Sequence, residues 1–424
     1  MSRGLLGVFR RARSSDFFRQ ASGASVWNMG GMGLTLLNGV LTSRLLAPDD
    51  RGALALILTA TALSYLVSSL GTSTAIRVFQ GRETWASFRT YLFVSAWLLS
   101  LNVLLVFGTA VAFAEFGYVE HSVVLPLILV LGVATFISSQ LLDVLNAQGL
   151  VSRSASVNNL GHFSTLVALG IIYLAFDGGL LGMVLAAYIA GFVARVVLCI
   201  LAMRRVGVKL GVVSPDRGRT LIRQGFRFWG INLAQTLTSR ADQLLLVALA
   251  NTYAVGIYAV AVAPASVMQV VSNSVGQVAL REAASGVLTA KRLFRACGVA
   301  FLVVGFYTAL MWFAAPTLIP LVFGADYSDA VPVVRILLLA ELARSPYLVL
   351  IRALAGLNRP FAATASSLLG LVILAVSMVV LVPKFGVEGA AFSVVITSVI
   401  LLAVSAVSTG VALNRGASSN ILLR

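Results

Sequence analysis

Twelve stretches of this 424-residue chain are apolar enough and long enough to cross a lipid bilayer, with short polar loops between them. They fall roughly at 21–46, 53–76, 90–114, 123–146, 155–176, 180–203, 224–250, 253–280, 294–315, 329–351, 361–382 and 387–413. Hydrocarbon offers no water to an unpaired backbone group, so only helices or a closed barrel can span it, and runs of about 20 residues select helices. The expected class is an all-α polytopic membrane protein of about twelve transmembrane helices. Composition agrees: 59% of residues are hydrophobic and 11% charged, against about 25% charged in soluble domains.

The net charge of +16 does not indicate a nucleic-acid partner. Its arginines and lysines sit in short loops rather than on one polar domain. With the N-terminus inside, Arg77, Arg82, Arg89, Arg153, Arg281, Lys291, Arg292, Arg295, Arg352, Arg359, Arg415 and Arg424 all fall on the inner side. The outer side keeps Arg44, Arg51 and Lys384, and collects Asp49, Asp50, Glu115, Glu120, Asp177, Asp326, Asp329 and Glu388. This bias predicts both termini in the cytoplasm of a plasma (inner) membrane protein. Residues 1–20 read as an Arg-rich cytoplasmic tail, able to lie on the inner leaflet.

One polar segment divides the chain. Residues 204–223 carry Arg204, Arg205, Lys209, Arg217, Arg219 and Arg223 against Asp216 alone. It reads as a cytoplasmic connector between two halves, 21–203 and 224–413, followed by a C-terminal tail, 414–424. A shift of 204 positions brings Arg19–Gln20 onto Arg223–Gln224, Asn28 onto Asn232, Gly52 onto Gly256 and Arg77 onto Arg281. A shift of 207 brings Gly149–Leu150 onto Gly356–Leu357, and Gly179 and Gly182 onto Gly386 and Gly389. Six spans per half is an even number, so both halves point the same way. The expected architecture is two pseudo-symmetric six-helix lobes in a parallel repeat, of the kind that commonly frames a central cavity.

No catalytic constellation is present: His121 and His162 are isolated, and Cys199 and Cys297 make no metal spacing or disulfide framework. No cofactor or metal is expected. Function is sought instead in ionisable residues within the spans, which are costly there and mark pathways: Asp143, Arg195, Arg227, Arg240, Asp242, Arg335, Glu341 and Arg344. The seventh span is the richest. Gln224, Arg227, Asn232, Gln235, Thr238, Ser239 and Asp242 share an arc of about 140° at helical spacing. The stripe suits a water-filled cavity or a polar seam against a neighbouring helix. In the first span Gln20, Ser25, Asn28, Thr35, Asn38 and Thr42 share a similar arc of about 140°. Glu341 and Arg344, three apart, are expected to pair, with Glu341 and Asp143 also candidates for ion coupling. Arg195 is expected to snorkel or pair locally. Asp326 and Asp329 are expected to cap the tenth span.

Several stretches resemble the polysaccharide-exporter branch of the multidrug/oligosaccharidyl-lipid/polysaccharide (MOP) flippase superfamily, including Wzx-like O-antigen flippases. They are Ser43-Arg44-Leu45-Leu46-Ala47-Pro48-Asp49-Asp50-Arg51-Gly52, Arg240-Ala241-Asp242-Gln243 through Val255-Gly256-Ile257-Tyr258, and Leu321-Val322-Phe323-Gly324 through Asp329-Ala330-Val331-Pro332. Ala355-Gly356-Leu357-Asn358-Arg359-Pro360 and Val382-Pro383-Lys384-Phe385-Gly386-Val387-Glu388-Gly389-Ala390-Ala391 complete the set. The resemblance implies a non-enzymatic flippase moving a polyprenyl-diphosphate-linked oligosaccharide from inner to outer leaflet by alternating access. It also implies membrane lipid, a polysaccharide polymerase and chain-length machinery as partners. On that basis Arg227, then Arg240, would engage the diphosphate, while Asp242, Gln235, Asn232, Asn28 and Asn38 would line the substrate path. Two alternatives stand beside it: a multidrug exporter of the same superfamily, and a non-transporting component of a polysaccharide assembly complex. An exporter of cations would want an acid-rich cavity, whereas the intramembrane set holds five arginines and three acids.

Overall fold

The computed structural model describes residues 27, 30–80, 88–118, 124–176, 180–208, 211–285, 287–357 and 360–421. Among them the chain is helical, and its helices fall on the twelve expected stretches. In order they are α1 (residues 30–45), α2 (Pro48–Ser68), α3 (Thr72–Gln80), α4 (Phe88–Glu115), α5 (Val124–Ala147), α6 (Val151–Ala175), α7 (Leu181–Val206) and α8 (Pro215–Leu249). Then come α9 (Thr252–Ser266), α10 (Gln269–Ala284), α11 (Ala290–Phe323), a 3₁₀ turn (Ala325–Tyr327), α12 (Ala330–Gly356) and α13 (Pro360–Ile421). Seven described helices are long and apolar enough to cross a membrane, eight if the bent pair α9–α10 forms one span. The Arg-rich tail, residues 1–20, lies outside the described residues.

The breaks show how the sequence manages backbone groups where water is absent. The second expected span is two helices, because Leu70 and Gly71 take positive φ (46° and 70°) between α2 and α3. Side chains take up carbonyls around the break: Ser68 Oγ donates to Tyr65 O, Ser69 Oγ to Leu66 O and Thr72 Oγ1 to Ser69 O at 2.7–3.1 Å. Gly71 is needed there twice over, since a side chain would also collide with the backbone of Gly225 and Trp229 on α8. The eighth span breaks as well, bending by 48° between α9 and α10 just past Pro264. Tyr307 Oη donates to the Pro264 carbonyl at 2.8 Å.

The expected stop near Pro316 is not observed: α11 continues through Pro316 and Pro320 to Phe323. Proline at 316 removes the donor that would serve the carbonyl of Trp312, one turn earlier. Arg335 Nε on α12 supplies a replacement at 3.1 Å, with its guanidinium 5.3 Å from the Trp312 ring centroid. The helix stops instead at Gly324 (φ 121°). In α13 the two final spans run together, broken only at Gly386, whose φ of 57° and ψ of −131° are not helical.

The connector is shorter than its polar composition suggests. Helix α7 extends to Val206 and ends on Gly207 in the left-handed region, with Arg204 and Arg205 in its last turn. Helix α8 begins at Pro215 with Asp216 in its first turn, so Arg217, Arg219 and Arg223 are helical. Thr90 on α4 holds the remaining loop, donating to Val212 O at 3.3 Å and accepting from Ser214 N at 3.0 Å.

The chain forms two compact units: Met1–Leu46 with Ile57–Leu233, and Ala47–Leu56 with Ala234–Arg424. In the first, Phe88, Tyr91, Phe136, Val144 and Leu221 belong to one buried cluster. Helix α4 shows the sorting: Tyr91, Val94, Leu98, Val106 and Ala110 are buried, while Phe93, Trp97, Leu104 and Phe107 are exposed. Such large outward apolar groups suit hydrocarbon rather than water. In the second unit, α11 repeats the pattern with Ala300, Val304 and Ala315 inside and Leu302, Phe306 and Phe313 outside. That unit also contains a reciprocal crossing of repeat partners. A side chain on Gly52 would strike Thr252 O, and one on Gly256 would strike Pro48 O. Thr252 Oγ1 donates to Asp49 Oδ1 at 3.0 Å beside it.

Candidate functional site

Broken helices expose polar positions to the unit interior, and in both units a buried carboxylate meets one. In the second unit, the break past Pro264 puts Gln269 at the head of α10, where its Nε2 donates to Glu341 Oε1 on α12 at 2.8 Å. Arg344, one turn along α12, approaches the same oxygen at 3.5 Å, so the expected ion pair is present. Ser272 Oγ donates to Ser345 Oγ at 3.0 Å just beyond. A second carboxylate stands in the same unit. Asp242 on α8 accepts from the buried phenol of Tyr258 on α9 at 2.9 Å and from Gln243 N at 2.8 Å. Arg344 and Arg240 act on Asp242 electrostatically. The second unit therefore holds two carboxylates, Glu341 paired with Arg344 and bonded by the Gln269 amide, and Asp242 bonded by the Tyr258 phenol with Arg344 and Arg240 acting on it.

In the first unit Asp143 on α5 is buried, and Arg77 on α3 pairs with its Oδ1. Tyr65 Oη on α2 donates to its Oδ2 at 3.0 Å. Alongside, Tyr91 Oη on α4 donates to Gln140 Oε1. Here the break at Leu70–Gly71 turns α3 so that Arg77, half-exposed at its far end, reaches back to α5.

The residues expected to meet substrate divide as follows. Arg227 and Arg240 are exposed on α8, and neither makes an ion pair among the described residues. Asn38 is buried on α1, where its Nδ2 donates to His162 O on α6 at 3.1 Å. The side chains of Asn232, Gln235, Thr238 and Ser239, and all of Asn28, lie outside the described residues. Asp329 occupies the N-cap position of α12 but makes no side-chain cap. Its carboxylate is instead taken by the hydroxyl of Tyr253 at 2.8 Å, which corrects the capping expectation. Among the described residues no group of histidine, cysteine and carboxylate side chains could hold a metal ion.

Sequence reasoning missed Tyr65, Arg77, Tyr258 and Gln269 as carboxylate partners. The repeat carried a signal for one pair: the 204-residue shift places Tyr65 on Gln269. Beside Arg227, Phe226 and Trp229 stack at 5.3 Å, adding an aromatic surface to α8.

Comparison with known proteins follows the same lines. The polysaccharide biosynthesis protein family matches residues 19–280. An inward-facing multidrug resistance MATE family transporter of the MOP superfamily is similar in fold, with a TM-score of 0.72 at 17% identity, covering 90% of this chain and 94% of that one. The lipid II flippase MurJ in an inward closed conformation gives 0.67 at 12% identity, covering 91% and 87%. A MOP superfamily transporter from Pyrococcus furiosus, described as having a binding pocket of reversed polarity, gives 0.59 at 17% identity, covering 93% and 95%. No curated protein matches significantly.

Proposed function

The chain belongs to the polysaccharide biosynthesis protein family, and from that membership we propose that it is a transporter that flips a polyprenyl-diphosphate-linked oligosaccharide from the inner to the outer leaflet. The observation that carries this reading is Arg227, an arginine of α8 in the seventh expected span, which is exposed and has no ion partner among the described residues. An unpaired cation is expensive at membrane depth unless a wet path or an anionic ligand serves it. A diphosphate is such a ligand, and a guanidinium fork binds its oxygens two at a time. Arg240 is the second contact. Asn28, Asn38, Asn232, Gln235 and Asp242 would meet sugar hydroxyls as the site opens alternately to each side. The lipid tail stays in the bilayer, and no covalent step is required.

Ion coupling would fall in the second unit, at Glu341 with Asp242 near it, because two carboxylates stand near one another there and Asp242 makes no ion pair among the described residues. Asp143 is the lesser candidate, since Arg77 already neutralises it. The protein would work in the plasma (inner) membrane with both termini cytoplasmic, handing its product to a polysaccharide polymerase and chain-length machinery. The multidrug-exporter reading draws on one feature, the acid pair Asp242 and Glu341.

The test is depletion in the native host, followed by assay of lipid-linked glycans in each leaflet with an impermeant periodate probe. Accumulation on the cytoplasmic side with loss of surface polysaccharide is expected. Arg227→Ala should lower flipping about 10- to 100-fold, the worth of a charge-assisted contact. An unchanged leaflet distribution, with drug accumulation altered instead, would replace this reading with the exporter.

A further inference from the structure

The second unit carries a basic recess that the proposed transport path does not use. Ala279 of α10, Leu293 of α11, and Val349, Leu350 and Ala353 of α12 share one buried cluster. The last turns of α10 and α12 and the first turns of α11 therefore meet at one end of the unit. The loop from α10 to α11 is drawn in tightly there. The Glu282 carbonyl accepts from Val287 N, Leu288 N and Ser285 Oγ, each at 3.1 Å. A recess of about 240 Å³ opens between the two helices. Among its lining residues are Val278, Ala279 and Glu282 of α10, Leu288 of the loop, and Arg292 and Arg295 of α11.

The charge of this recess is not balanced. Arg295 is exposed and makes no ion pair among the described residues. Glu282, the one acid of the lining, lies 3.9 Å from Arg292. That is a contact of charges rather than a hydrogen bond. The two side chains are 57% and 33% exposed, so their attraction is well screened. Exposed Lys291 adds a further positive charge to the same turn.

Position along the helix decides what meets that charge. Helix α11 has 34 residues, about 50 Å of helix against about 30 Å of hydrocarbon. Its outward Leu302, Phe306 and Phe313 occupy the apolar band. The recess lies before that band, at the level a headgroup layer would take. Exposed apolar side chains adjoin it, Val278 on α10 and Phe294 and Val299 on α11. A soluble anion would satisfy the arginines and gain nothing from these groups. A molecule with a phosphate at one end and hydrocarbon at the other satisfies both. We infer that this recess binds one anionic phospholipid of the adjoining leaflet, its phosphate held by Arg295 and Arg292 and its acyl chains lying along Val278, Phe294 and Val299. Glu282 opposes the headgroup and makes Arg292 the weaker of the two contacts. In the orientation expected from the loop charges the leaflet is the inner one. The inference stands whichever substrate the chain moves.

The experiment is native mass spectrometry of the purified full chain released from a neutral detergent. The chain is titrated with phosphatidylglycerol, phosphatidylcholine and glycerol 3-phosphate. Wild type should bind one phosphatidylglycerol at least about 10-fold more tightly than phosphatidylcholine, and glycerol 3-phosphate more weakly than either. Arg295→Gln should remove about 10-fold of that affinity and Arg292→Gln less. Glu282→Gln should raise it, because a competing carboxylate is gone. Arg153→Gln, at an exposed arginine of α6 in the first unit, should leave it unchanged. Without added lipid, Arg295→Gln should unfold at the wild-type temperature, since the side chain it alters is exposed. Equal losses in Arg153→Gln and Arg295→Gln would mean diffuse attraction to a basic surface and overturn the site. Undiminished binding in Arg295→Gln, or weaker binding in Glu282→Gln, would do the same. Glycerol 3-phosphate bound as tightly as the lipid would replace the phospholipid with a soluble anion. Displacement of phosphatidylglycerol by farnesyl diphosphate, dependent on Arg295, would reject a separate lipid site and make the recess part of the transport path.

Discussion

Asp143 in the first unit and Glu341 in the second sit on corresponding helices, the fourth span of each repeat, yet they are held by different means. Asp143 is closed in by an arginine from α3 and a phenol from α2, so its charge is matched by a group on another helix. Glu341 takes its arginine from one turn along its own helix and an amide from α10, and a second carboxylate, Asp242, stands nearby. An arginine borrowed from another helix ties elements together. One from the same helix adds charge without adding a tie. The first cluster ties α2, α3 and α5 together and fits a brace, while the second pairs Glu341 within its own helix, and the origin of one arginine makes the difference.

Three single substitutions and two double-mutant cycles probe that contrast. The largest effect is expected from Arg77→Ala, which leaves Asp143 buried with a single phenol. It should cost about 3 kcal/mol, at the low end for a broken buried pair because Arg77 is itself half-exposed. Denaturant unfolding in detergent measures it, and a loss below that of Arg344→Ala would reverse the assignment of brace and site. Arg344→Ala should cost less, about 1–2 kcal/mol, since Glu341 keeps Gln269 and the pair lies along one helix. Its main consequence should be on the ion dependence of transport in proteoliposomes. A double-mutant cycle of Arg77→Ala with Asp143→Asn should also show stronger coupling than Arg344→Ala with Glu341→Gln. The smallest effect is expected from Tyr258→Phe, about 1 kcal/mol, because Asp242 retains its backbone donor and partial exposure. If Tyr258→Phe destabilises as much as Arg77→Ala, the second cluster is a brace as well.

Much of the architecture was readable beforehand because its causes are local or additive. A run of about 20 apolar residues must be helical in hydrocarbon wherever it packs. The bias of Arg and Lys toward alternate loops and the 204-residue repeat needed no coordinates, and Gly52 and Gly256 then proved to cross reciprocally. The breaks were less legible. Pro316 looked like a stop, but Arg335 from another helix replaces the lost donor. Leu70–Gly71 looked like span interior, but the backbone of α8 passes against it. Proline and glycine state only what a position permits, and a neighbour decides what the position does.

Sequence by itself determined the solvent this chain is built for, its all-helical class and the stretches in which its helices fall. Hydropathy and charge are summed along the chain and do not depend on contacts. Tertiary structure decided what each of those charges is for. Arg335 serves a carbonyl, Arg77 neutralises Asp143, Arg344 pairs with Glu341, and Arg195 lies buried against the Phe192 ring. In a low-dielectric interior the worth of a charge depends on the few ångströms around it, and those ångströms are filled by residues far away in sequence.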